Sequence, residues 1–201
     1  MQNSLKVLIL SGSIRRPSYT FSVADAIKYS LQEQGCSCLH WNLTKQPLPI
    51  ADPAYHSRPH DNPNDNAKKL AREADSSDII ILATPIYHNS YSGVLKNALD
   101  LLTMSQFQYK AIGLVSHGGN RSTQGVDQLR IVVRGLLGYA ITTQVCTMKS
   151  DYGSVDNDGI YPISDPTIHE RINRFVRELI LLAPVYRALR QRIGLLPSEF
   201  K

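Results

Sequence analysis

Apolar and polar positions along the chain fall into two alternating rhythms. The first run, Leu5 to Leu10 (LKVLIL), is short and almost continuously apolar, the pattern of a strand buried on both faces. From Ser18 to Gln34 the spacing changes. Phe21, Ala24, Ile27 and Leu31 recur at three- and four-residue intervals, which predicts a helix with Ser18 as its N-cap and Gly35 as its stop. The two rhythms then repeat. Strand-like runs occupy Ser37 to Asn42, Asp78 to Pro85 (DIIILATP), Lys110 to Ser116 (KAIGLVS) and Ala140 to Cys146 (AITTQVC). Helical spacing covers Asn66 to Ala74, Ser92 to Leu102, Thr123 to Leu137 and Thr167 to about Ala183, where Pro184 is expected to break or kink the last helix.

Five strands alternating with helices predict an α/β fold: a doubly wound five-stranded parallel sheet, order 2-1-3-4-5, with right-handed crossovers and helices on both faces. The chain of 201 residues reads as one domain over 1–201. Two segments stand outside the alternation. Residues 44–65 carry Pro47, Pro49, Pro53, Pro59 and Pro63, which argues for a stiff irregular excursion, of a length that marks a lid, an interface or disorder. Residues 185–201 form a C-terminal extension.

Composition narrows the partners. The net charge of +5 suits an anionic ligand, but the basic residues are scattered. The arginines from Arg171 to Arg192 read as a solvated helix face, and no basic motif interleaved with aromatics accompanies them, so no nucleic-acid partner is expected. The run Leu179 to Ala183 is far too short to span a bilayer, so no membrane partner is expected either. Cys36, Cys38 and Cys146 lack a disulfide framework and read as reduced core residues, which with the lack of a leader-like N-terminus gives a cytoplasmic expectation.

The loops at the strand ends hold the chemistry. In this topology a ligand sits outside the carboxyl ends of the strands, where the order reverses between the first and third. The first strand ends in SGSIRRPS, and the following helix directs its N-terminus and backbone N–H groups at one volume. Ser11, Ser13, Ser18 and Thr20 add hydroxyls, Gly12 permits close approach and Arg15 offers a charge-assisted contact, so the loop reads as a phosphate cup. Neither Gly-x-x-x-x-Gly-Lys-Ser/Thr nor Gly-x-Gly-x-x-Gly is present, and no cysteine opens the loop as a phosphatase nucleophile would.

The third-strand loop TPIYHNSYSG (Thr84 to Gly93) is uncharged, with flat apolar area and backbone polar groups suited to a planar heterocycle. Asn89 in it tolerates positive φ. The fourth-strand loop SHGGN brings Gly118 and Gly119 where backbone must approach something closely. Phosphate at the first strand and a flat ring against the third and fourth describe FMN. His56 and His60 fall in the proline-rich loop without pre-formed geometry, so no metal site is expected.

Two stretches carry a family resemblance. GSIRRPSYT resembles the Gly-Ser-x-Arg-x-x-Ser loop of the NADPH-dependent FMN reductases. TPIYHNSYSGVLKNALDLL resembles their Thr-Pro-x-Tyr-x-x-Ser-x-x-Gly-x-Leu-Lys-Asn-Ala-x-Asp signature, and the match runs in order from about Leu5 to Cys146. The resemblance implies a flavodoxin-like fold and an enzyme that takes hydride from NADPH or NADH onto FMN and reduces flavin, quinone or azo acceptors. It implies that Ser13, Arg15, Ser18 and Thr20 hold the flavin phosphate. It further implies that Pro85, Ile86, Tyr87, His88, Asn89 and Ser90 line the ring, and that Ser116, Gly118 and Gly119 complete its far side. A homodimer or tetramer is also implied. Many members carry asparagine at Thr20 and His88, glutamate at Ile86 and glycine at Asn89, which leaves the acceptor and the nicotinamide preference open. No side chain is assigned a catalytic acid role, because the hydride chemistry belongs to the cofactor. A flavodoxin-type electron carrier and a flavin-binding sensor or scaffold stand as alternatives, the first disfavoured by the positive charge.

Overall fold

The structure, a computed structural model, describes residues 4–194. In chain order its elements are β1 (Lys6–Ser11), α1 (Tyr19–Glu33), β2 (Ser37–Trp41), α2 (Asp65–Ser76), β3 (Ile79–Tyr87), β4 (Ser90–Tyr91) and α3 (Gly93–Asp100). Then follow α4 (Met104–Phe107), β5 (Ala111–His117), α5 (Gln124–Gly135), β6 (Tyr139–Ala140), β7 (Val145–Thr147) and α6 (Pro166–Ile193).

The sheet runs β2-β1-β3-β5-β6, with β7 also paired to β5, and all of these pairings are parallel. Alternation along β1 shows how two layers of helix are held. Val7 and Ile9 join a core with Val23 and Ile27 of α1 and Ile172 and Phe175 of α6. Leu8 and Leu10 face the other way, into a core with Leu70 of α2, Leu95 of α3 and Leu129 of α5. Gly113 in β5 sets how closely α6 lies on the sheet, because a Cβ there would come within 2.4 Å of the Phe175 ring.

The sheet has seven strands where the pattern predicts five, for two local reasons. Strand β4 is a two-residue return of the chain onto β3, antiparallel, pairing Tyr87 with Ser90 and Ile86 with Tyr91. The fifth predicted strand is split into β6 and β7. Between them the backbone amides of Thr142 and Thr143 donate to the Glu178 carboxylate of α6, at 2.8 and 2.9 Å. The carbonyls of Ile141 and Thr142 accept from the Arg130 guanidinium of α5. Side chains from two helices thus satisfy backbone groups that a continuous ladder would have paired.

Two further expectations are corrected. Helix α6 runs through Pro184 without ending, to Ile193. Pro184 lies on its exposed side, where water can serve the carbonyl one turn back, and Arg187 beyond it is clamped to the Asp78 carboxylate. The C-terminal extension therefore begins as helix, and its remainder, 195–201, lies outside the described residues. The proline-rich loop contains two 3₁₀ turns, Pro53–Tyr55 and Pro59–Asp61, each with proline at its start, where the fixed φ is an advantage. Asn97 of α3 holds this loop from both ends of its amide, donating to the Pro49 carbonyl at 2.8 Å and accepting from the Ala51 amide at 2.9 Å. All three cysteines are free; Cys36 is buried and precedes β2, while Cys38 and Cys146 are half-buried. No described helix is long and apolar enough to cross a membrane.

Candidate functional site

The loops after β1, β3 and β5 meet where the strand order reverses, with β1 and β3 side by side and β5 next to β3. The first loop is braced before it reaches the site. Gly12 donates to the Ala83 carbonyl of β3 at 2.7 Å, and Ser92 donates to the Gly12 carbonyl at 2.6 Å. Ser18 caps α1, accepting from the Phe21 amide at 3.2 Å, and its hydroxyl donates to Ser13 at 2.9 Å. The positive end of α1 and the hydroxyls of Ser13, Ser18 and Thr20 therefore border one space.

That space is a cavity of about 290 Å³. Ser13, Arg15, Ser18 and Thr20 of the β1–α1 segment line it together with Pro85, Ile86 and Tyr87 at the end of β3 and Gly118 and Gly119 after β5. A Cβ on Gly119 would meet nothing within 4 Å, so this backbone faces open space. His88 and Asn89 lie one step outside, lining an adjoining cavity of about 550 Å³ that shares Ile86 and Gly119. They form the two-residue turn between β3 and β4, both with positive φ, 48° and 62°, the backbone of a type I′ hairpin.

Three of the expected residues point elsewhere. Ser11 is buried behind the cup, its hydroxyl 2.6 Å from His40 Nε2, and His40 Nδ1 lies 3.4 Å from Asp25. This Ser-His-Asp chain resembles a hydrolase triad in connectivity, but none of its members borders a described cavity, so it braces the loop from beneath. Ser90 donates to Gln128 of α5 at 2.5 Å, and Gln128 in turn donates to the Asn89 carbonyl, which fixes the hairpin tip. Ser116 is fully buried and donates to the Ser122 carbonyl, closing the loop after β5.

Tyr19, His117 and Lys149 border the cavity as well. Tyr19 stacks on His117 at 4.6 Å and on Tyr161 at 3.9 Å. His117 Nδ1 lies 3.1 Å from the Thr147 hydroxyl, which also receives the Tyr152 hydroxyl at 2.8 Å. Burial pushes the His117 imidazole down to about 4; the Asp151 carboxylate opposes this and the Arg15 charge adds to it, so the ring is neutral at pH 7. Lys149 arrives on the loop after β7, at the carboxyl end of the split strand, a place the topology rule could have flagged. Arg121 is committed elsewhere, paired with Asp151 and Asp165.

No carboxylate lines the central cavity. The β1–α1 segment offers hydroxyl donors, a helix N-terminus and the Arg15 guanidinium, Lys149 adds a second cation, and the loops after β3 and β5 offer apolar side chains and glycine backbone. This donor set suits a molecule with an anionic group at one end and a flat ring at the other.

Comparison with known proteins agrees with this chemistry. The family model of the NADPH-dependent FMN reductases matches residues 5–152. An FMN-dependent NADPH-azoreductase of Staphylococcus saprophyticus is 35% identical over 177 residues, covering 88% of this chain and 94% of that one. Its counterpart in Staphylococcus aureus is 36% identical over the same length and coverage. The apo structure of an NADH:FMN oxidoreductase superposes with a TM-score of 0.63 at 25% identity, covering 89% of both chains. The chain belongs to the NADPH-dependent FMN reductase family, NAD(P)H-dependent flavin oxidoreductases of flavodoxin-like fold.

Proposed function

We propose that the central cavity holds FMN with its phosphate in the Ser13, Arg15, Ser18 and Thr20 cup and its ring between Pro85–Tyr87 and Gly118–Gly119, and that the enzyme passes electrons from NADPH to azo or quinone acceptors. The observation that carries this reading is the meeting, around one cavity without a carboxylate, of the hydroxyls and cation of the β1–α1 segment with the uncharged, partly aromatic stretch Pro85–Tyr87. When bound, FMN supplies hydride acceptance and electron transfer.

The protein's part is to place and to shield. The cup fixes one end of the ligand by hydrogen bonds from preset donors, so little reorganisation is needed on binding. Tyr19 and the neutral His117 form a wall that adds no charge beside the ring. Tyr87, 53% exposed, stands at the mouth, where a planar nicotinamide or azo compound would stack. With no carboxylate in the cavity, alignment carries the rate, and no single side-chain loss abolishes turnover.

The purified protein should show a flavin absorption band released on denaturation, and should oxidise NADPH in the presence of an azo dye. A protein that binds FMN yet leaves NADPH unoxidised would belong with the electron carriers instead. The formal charge of +5 speaks against that alternative, since acidic faces suit such carriers. Assembly as a homodimer, or as a tetramer built from dimers, is part of the same reading. Its support is Ile50, 84% exposed on the clamped proline-rich loop, together with Tyr87 at the open mouth.

A further inference from the structure

Beside the phosphate cup, on the β2 side, lies a second cavity of about 450 Å³. It joins the first at Ser13, Arg15 and Ser18, which border both. Its remaining walls come from three places: Arg16, Pro17 and Phe21 on the β1–α1 segment, Asn42, Thr44 and Lys45 after β2, and the turn Asp158 to Ile160.

The chemistry of these walls is distinct from that of the ring end. Arg16 and Lys45 add two cations to Arg15, all on exposed side chains that can swing onto an anion. Arg16 also hydrogen-bonds the Thr44 hydroxyl, which ties the two cationic segments together. Pro17, Phe21 and Ile160 supply apolar area, and Phe21 is held in place by stacking on His40 at 4.2 Å. Asp158 brings one carboxylate on a braced turn, in which the Asp158 and Ile160 amides both donate to Asp156 and Gly159 takes φ 78°.

A phosphate alone would use the cations and leave the apolar wall and Asp158 without purpose. A phosphate carrying a ribose and a flat base uses all three: cations for the phosphate, the carboxylate for the ribose hydroxyls, and Phe21 with its neighbours for the base. The end of the second strand is also where doubly wound folds meet the ribose of a dinucleotide.

We propose that this second cavity is a subsite for an adenosine phosphate group, the part by which FAD exceeds FMN and which a nicotinamide dinucleotide also carries. The inference rests on the reading of the cup as the flavin-phosphate site. Because the cavities meet at Ser13, Arg15 and Ser18, an adenylate joined to the flavin's own phosphate enters the second cavity directly from the first.

The test is a pair of titrations on the full-length protein and on the double variant R16A/K45A. With flavin removed, FAD and FMN are titrated side by side: an FAD affinity about tenfold above that for FMN, lost in the double variant while its FMN affinity stays within about threefold, is the result expected if the adenylate belongs to a flavin. With FMN loaded, calorimetric titration of 2′,5′-ADP asks whether a nicotinamide dinucleotide is the source. Binding that the double variant abolishes assigns the subsite to the nicotinamide partner. A FAD advantage that the variant abolishes assigns it to the flavin. FAD and FMN of equal affinity, with no 2′,5′-ADP binding, would overturn the subsite while leaving the FMN site intact. Failure to bind FMN at all would overturn the reading beneath it, and is read separately in the first titration.

Discussion

The Ser92 hydroxyl donates to the Gly12 carbonyl across 2.6 Å, joining the cup to the N-terminus of α3. The same oxygen caps that helix by accepting from the Leu95 amide at 3.2 Å. The approach is close enough that a Cβ on Gly12 would lie 2.6 Å from both Ser92 Oγ and Leu95 Cβ. Gly12→Ala should therefore destabilise the fold by about 1–3 kcal/mol through overpacking, and Ser92→Ala by about 1–2 kcal/mol through the lost cap and bridge. Both should weaken flavin binding as well. Urea denaturation paired with flavin titration checks this, and an unchanged midpoint in Gly12→Ala would show that the contact relaxes without penalty.

At the other end of the cavity the hairpin tip depends on backbone handedness. Asn89 at φ 62° occupies a region open to asparagine and glycine but strained for a β-branched residue. Asn89→Gly should retain flavin, while Asn89→Val should lose occupancy as the Ile86–Tyr87 backbone shifts. Absorbance of the two purified variants at matched protein concentration decides it, and equal occupancy would remove the turn from the ring site.

Much of this arrangement was legible in local sequence. Ser18 as an N-cap and a positive φ at Asn89 each follow from a few neighbouring residues. Distance along the chain hid the rest. The split of the fifth strand needs Glu178 and Arg130, which lie on separate helices, and no periodicity in AITTQVC records them. The wall of Tyr19, His117 and Tyr161 is likewise assembled from three elements. Pro184 does not end α6 for a related reason, since a proline's effect depends on which side of the helix meets water.

The neutral His117 gives the fold a pH dependence. Its folded value of about 4 lies below the ordinary 6.5, so between these the unfolded chain binds more protons. Stability from this group is fully present above pH 6.5 and is lost as pH falls toward 4, with a slope of at most about 1.4 kcal/mol per pH unit. Buried His40 shifts in the same direction, so the comparison must isolate one ring. His117→Gln should lose less stability than wild type between pH 7 and pH 5 in denaturant melts. Parallel losses would place the effect elsewhere.

Arg15 stands where the two cavities join and lines both, whereas Arg121 is paired with Asp151 and Asp165. Arg15→Ala should weaken FMN binding by about 1–3 kcal/mol, the loss of one charge-assisted hydrogen bond, because the hydroxyls and the helix end remain. Fluorescence titration measures it directly. An unchanged affinity would leave phosphate recognition to the neutral donors alone.

The proline-rich loop supports the proposed assembly. Leu48 packs on the core and Asn97 grips the backbone on either side of Ile50, so this loop is held firmly while presenting an apolar side chain that is 84% exposed. A rigid apolar projection costs little further entropy to bury, which is what an interface requires. Tyr87, 53% exposed at the central cavity, is a second apolar surface that a second copy of the chain would cover. Light scattering at micromolar concentration should report a dimer or a tetramer, and Ile50→Glu should shift the population toward monomer with a parallel fall in NADPH turnover. A monomer that keeps full activity would sink both the assembly and the shared mouth.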